Sequence, residues 1–203
     1  MDIDPIESAN SAAEDTATVR DRDRARLNTR VAITVALLAT FLGVCKVKDD
    51  NIVQAMQQAQ ADRLDHWNFY QARNIRQEVA SATAAQLKLA AAAAPAAQQE
   101  AYRAAVASYE ALVVDQAKKK EELRLQAEQD QKTYDALNYR DDQFDLSDAM
   151  IALAISLLAL TALTHKTWLY WMALVATVGG VVMGLAGLLG WHLHPDALSR
   201  LLS

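Results

Sequence analysis

Glycine and proline are scarce in this chain. Its 203 residues hold six glycines and three prolines, and four of the glycines fall between Gly179 and Gly187. A β-rich fold needs turn residues at every reversal, so this shortage excludes one and predicts an all-α fold. A single cysteine, Cys45, excludes an intrachain disulfide. No Gly-rich phosphate loop, His-Glu-x-x-His or Gly-x-Ser-x-Gly motif occurs, so no catalytic residue is assigned and an enzyme is not expected. The net charge of −5 gives no footing for nucleic acid. His192, His194 and Asp196 come nearest to a metal set, but a His-x-His pair on a helix points to different faces. No metal and no cofactor is expected.

The chain does have long apolar runs, hidden by the averages. Hydrophobic residues make up 52% and charged residues 22% of the whole, as in an ordinary globular protein. They are segregated, however: Val31 to Cys45, Ala149 to Thr164 and Thr167 to Trp191 are nearly free of charge. A bilayer core needs roughly 20 residues of helix. The reading is therefore a first transmembrane helix over 27–47, a second over 146–164 and a third over 167–191. Arg30 and Lys46 snorkel from the ends of the first. Trp168, Tyr170, Trp171 and Trp191 sit at the two interfaces of the third. His165, Lys166 and Thr167 leave room only for a tight turn between the second and third. A cleaved leader is the alternative for the first run, but Val44 stands where lipoprotein processing at Cys45 wants a small residue.

Charge sets the expected orientation. Arg20, Arg22, Arg24, Arg26, Arg30 and Lys166 lie on one side, Lys46, Lys48, Arg140 and Arg200 on the other. That bias places the N-terminus in the cytoplasm and residues 48–145 outside an inner membrane. Within the spans no charge lies centrally (Asp148 sits near one end), which argues against a transporter or proton pump.

Small residues recur on one face of each span. They are Ala32, Ala36, Ala39 and Gly43 on the first; Ala149, Ala152, Ser156 and Ala159 on the second; Ala173, Ala176, Gly180, Gly184 and Gly187 on the third. This spacing lets helix backbones approach closely, within one subunit or between copies, and points to a homo-oligomer.

Between the first two spans, residues 48–145 read as a soluble antiparallel helical hairpin with its tip near Pro95. The second arm carries Tyr102, Val106, Tyr109, Val113, Leu123, Ala127, Tyr134, Leu137 and Phe144 on one 3-4 spaced seam, interrupted by Gln116, Lys120, Asp130 and Asp141. The first arm is patchier, with Ile52, Met56 and Ala59, then Leu64, Trp67, Ile75 and Val79. The alanine-rich tip, 80–97, reads as a spacer or as a close-packed oligomer tip. Residues 1–26, acidic and then basic, read as a disordered tail, and 192–203 as a short C-terminal tail.

The densest polar-aromatic cluster runs from Asp65 to Gln77. Trp67, Tyr70, Arg73 and Arg76 are its candidate anchors, either for packing within the arm or for a partner. The run Asp65-His66-Trp67, Tyr70-Gln71-Ala72-Arg73 and Ile75-Arg76-Gln77, within this layout, resembles a bacterial membrane-protein family catalogued as domain of unknown function 4337. The resemblance covers most of the chain after residue 30. It implies the layout and no activity.

The function expected is that of a non-enzymatic scaffold or accessory protein in the lipid bilayer, self-assembled or part of a larger membrane complex. A homo-oligomeric pore component is the main alternative, and an envelope sensor a weaker one.

Overall fold

The computed structural model describes residues 5–191 and Leu193, with side chains from Thr18 onward. His192, His194, Asp196 and Arg200 lie outside the described residues. The described chain is helical, with no strand: α1 (Pro5–Ala93), a 3-10 turn (Ala96–Gln98), α2 (Gln99–Thr164) and α3 (Thr167–Leu189). The break between α1 and α2 falls at Ala94 and Pro95, where a proline cannot donate to the helix ladder.

Helix α1 begins far earlier than composition suggested. Residues 5–26, read above as a disordered tail, lie on it from Pro5. Proline suits a first helical turn, and no glycine or proline follows before Gly43. The mixed signs of the basic stretch also favour a helix, with Arg24 3.8 Å from Asp21 and Arg26 4.0 Å from Asp23, one turn apart.

The chain divides into two compact units. One comprises residues up to Ile52 and from Tyr139 onward; the other is Val53–Asn138. The first unit holds the apolar stretches of all three helices, each long and apolar enough to cross a membrane. Its core joins Val31 and Leu38 of α1, Ile151, Ala154 and Leu158 of α2, and Ala173 and Ala176 of α3.

Polar side chains of α2 close this unit around the end of α3. Gly190 adopts the left-handed conformation (φ 70°) and its N–H bonds Ala186 O, the usual way a glycine ends a helix. Arg140 donates to Gly187 O at 2.8 and 3.2 Å. Gln143, fully buried, donates to Trp191 O and Leu193 O at 2.7 Å each. Carbonyls that a helix C-terminus leaves unpaired thus gain partners from the neighbouring helix.

The second unit pairs the remainder of α1 with α2. Arg63 bonds Gln131, His66 bonds Asp130 (2.6 Å), Lys120 bonds Asn74 (2.9 Å), Arg73 bonds Gln116 (3.1 Å), and Lys88 lies 2.6 Å from Glu110. These partners extend from Arg63–Gln131 to Lys88–Glu110.

Candidate functional site

The polar-aromatic cluster lies in the second unit, at the contact between its helices. A 3-4 spacing that starts from the apolar positions Met56 and Ala59 runs through it by way of Arg63, His66, Tyr70, Arg73 and Gln77 to Ala80, Ala84 and Leu87, all buried or half-buried. Of the positions proposed for the first-arm seam, Leu64, Ile75 and Val79 are instead exposed, at 53, 63 and 60%. They fall out of step with the spacing begun at Met56. Three of the four "interruptions" of the second arm, Gln116, Lys120 and Asp130, are partners of this polar stretch, while Asp141 lies in the first unit. Gln116 is buried at 4% exposure, and Lys120 and Asp130 reach Asn74 and His66. A seam search restricted to apolar residues discards these positions, whereas the spacing alone retains them.

Of the four candidate anchors, three join this contact. Trp67 meets Tyr70 edge to face, ring centroids 5.2 Å apart. Lys120 Nζ lies 5.8 Å from the Tyr70 ring centre, within cation–π range. Arg73 donates to Gln116. Arg76 stays exposed, on a shallow groove of about 240 Å³ shared with Ile75, Val79, Tyr109 and Leu112. The cluster is thus mainly internal packing. His66, Arg73 and Asn74 each meet a specific partner on α2, which ties the two helices to one register. A double-mutant cycle on His66→Ala and Asp130→Ala is expected to give about 1 kcal/mol of coupling, the range for a charge-assisted bond with partial solvent access. Thermal unfolding of the four variants measures it; additive losses would show the pair to be independent.

The small-residue faces divide in two. On α3, Ala173, Ala176, Gly180, Gly184 and Gly187 are all buried inside the first unit. A side chain built at Gly180 would put its Cβ 2.7 Å from Ile151 Cγ1 and 3.2 Å from both Ile151 N and Ser147 O. At Gly184 it would meet Phe41 and the Ser147 hydroxyl, each at 2.7 Å, and at Gly187 the Phe144 ring at 2.8 Å. Ser147 Oγ donates to Gly180 O at 2.8 Å, a buried contact that only close backbones permit. The other two faces point outward. Ala32, Ala36, Ala39 and Gly43 on α1 are exposed, as are Ala149, Ala152, Ser156 and Ala159 on α2, and nothing lies within 4 Å of a Cβ at Gly43.

A carboxylate pair occupies the same unit and had no signal in the sequence beyond acidic composition. Asp49 of α1 is 5% exposed; its Oδ2 bonds Lys46 at 2.8 Å and its Oδ1 has no partner. Asp141 of α2 lies within hydrogen-bonding reach of it. Burial, then the Asp49 carboxylate and the charges of Asp145 and Asp142, raise the Asp141 carboxyl from an ordinary 3.8 to about 6. Two ionised carboxylates cannot bond each other. A proton on Asp141 lets its carboxyl donate to Asp49.

Among the described residues no group of three or more His, Cys, Asp or Glu side chains is arranged to hold a metal ion. No curated protein and no solved structure matches the chain. The sequence profile of one family does match, over residues 27–190, which takes in all three apolar helices and the polar contact between α1 and α2. That span is most of the chain, and the chain therefore belongs to the family described as domain of unknown function 4337.

Proposed function

We propose that this protein is a non-enzymatic membrane scaffold or accessory subunit. Its three apolar helices cross the bilayer, and its copies associate through the small-residue faces of α1 and α2. The observation that carries this reading is the division of those faces. The α3 face is consumed inside the chain, while Ala32, Ala36, Ala39 and Gly43, with Ala152 and Ser156, are exposed, and a Cβ at Gly43 would meet nothing within 4 Å. Between lipid-bathed helices, association rests on close packing, for which such faces are suited. A glycine in mid-helix costs about 1 kcal/mol relative to alanine. Gly43 offsets that within the monomer by nothing.

Residues 48–145 form, on this reading, an antiparallel coiled-coil hairpin in water, on the periplasmic side of a bacterial inner membrane. The descending order of partners from Arg63–Gln131 to Lys88–Glu110 supports the antiparallel sense. The excess of Arg before α1's apolar run supports the orientation.

The pore alternative gains little support from the hydroxyl groups. Thr34, Thr40, Ser156, Thr161 and Thr164 each donate to the carbonyl four residues earlier on their own helix, at 2.7–2.9 Å. Planar-bilayer recording of the pure reconstituted protein is expected to show no discrete conductance, and assays of the same sample no turnover. Unitary current steps would replace the scaffold reading with the pore.

A further inference from the structure

A cavity of about 300 Å³ opens at one end of the three-helix unit, between the start of α1's apolar stretch and the turn joining α2 to α3. Arg20 and Arg24 of α1 and His165 and Lys166 of the turn converge on it. Asp23 is the one acidic residue in the wall, and its carboxylate is 4.0 Å from Arg26. The nearest acid to Arg24 is Asp21, at 3.8 Å between side chains 58 and 76% exposed, too loose and wet to neutralise it. Three fixed positive charges therefore face one negative charge.

The backbone adds to this field. No side chain caps the N-terminus of α3 beside Lys166, so the first-turn N–H groups keep their positive end of the helix dipole. The turn reaches this shape through His165 in the left-handed region (φ 53°), a conformation uncommon for a side-chain-bearing residue. Next to the cavity, Trp168 and Trp171 are 59 and 66% exposed. Indole rings settle at the headgroup level of a bilayer, which puts the cavity at the same depth.

We infer that this cavity seats the phosphate of an anionic phospholipid headgroup, held by Arg20, Arg24 and Lys166, with the acyl chains against the exposed apolar surface. The inference rests on the membrane reading given above. Basic pockets at the ends of spanning helices are suited to such headgroups, because the charge contact adds to a lipid already held at the right depth.

The test uses the full chain reconstituted in phosphatidylcholine vesicles containing a minority of phosphatidylglycerol. The protein is then extracted in mild detergent, and the retained phospholipid is identified by native mass spectrometry. Wild-type protein should retain phosphatidylglycerol in preference to phosphatidylcholine. The variant Arg20→Ala/Arg24→Ala should lose at least about fivefold of that retention, the effect of one surface cation on an anionic lipid. Lys166→Ala, on the other wall, should lose a similar factor. Arg22→Ala/Arg30→Ala removes the same charge from the same helix outside the cavity, leaves the Arg26–Asp23 pair in place and should retain the lipid. Equal loss in the two double variants would reduce the effect to general surface charge and overturn the site. So would retention without headgroup preference, or binding of inorganic phosphate to lipid-free protein as tight as that of the lipid. Failure of the protein to float with the vesicles would sink the membrane reading instead.

Discussion

Gly180→Leu is expected to destabilise the three-helix unit by about 3 kcal/mol or more, while Gly43→Leu leaves the monomer's fold intact. The two substitutions are chemically the same and both lie in apolar helices, so intrinsic helix preference, worth up to about 1 kcal/mol in favour of the larger residue, cancels between them. The surroundings decide. At Gly180 even a Cβ lies 3.2 Å from Ile151 N and Ser147 O, which are backbone atoms of α2 and cannot rotate away. Overpacking of this kind costs about 1–3 kcal/mol when side chains can yield, and more when backbones must part. The Ser147–Gly180 hydrogen bond would break with it. At Gly43 a new side chain meets open space. Thermal unfolding in detergent should therefore separate the two variants by many degrees. Cross-linking should separate them the other way, with Gly43→Leu lowering the oligomeric fraction. Equal stability of the two would contradict the packing of α3 on α2.

Asp141→Asn is expected to stabilise the protein at neutral pH by about 1 kcal/mol, solvent screening of this half-buried group included, or a rise in Tm of about 2–4 °C. The Asp141 carboxyl is raised to about 6 from an ordinary 3.8, so between these values the folded state holds a proton that the unfolded state has released. Stability from this group is then greatest below about pH 4. It declines as pH rises towards 6 and stays low above. An asparagine amide carries no charge and can donate to Asp49 at any pH. The variant should therefore lose the part of the decline that Asp141 contributes and keep the smaller part due to Asp145, whose carboxyl burial also raises. Unfolding midpoints of both proteins from pH 4 to pH 8 measure it. A wild-type midpoint that rises over this range would show that the pair is not the strained element described.

Much of the fold is legible in the sequence, for identifiable reasons. Scarce Pro and Gly mark the all-helical class, and three charge-free runs mark the long apolar helices. What remained hidden is equally specific. Small residues at Ala32, Ala36, Ala39 and Gly43 advertise a close approach without saying to what, so the same spacing covers an internal face on α3 and outward faces on α1 and α2. Acidic composition suggested disorder for residues 5–26, although nothing there breaks a helix after Pro5. The cross-helix pairs His66–Asp130 and Arg73–Gln116 follow the helical spacing and not the hydrophobic pattern, so apolar residues alone do not expose them. The Asp49–Asp141 pair joins residues far apart in the chain and follows no local pattern, so only the folded arrangement exposes it.

The most direct test of the scaffold account is the mass and composition of the complex released from its native membrane by gentle detergent. The account predicts that the protein stays with the membrane through an alkaline wash. It should then migrate either as a single species of two or more times 22.3 kDa or in a larger assembly with other polypeptides. A solitary 22.3 kDa monomer would contradict assembly through the outward faces of α1 and α2. Release of the protein by the wash would contradict the three spans.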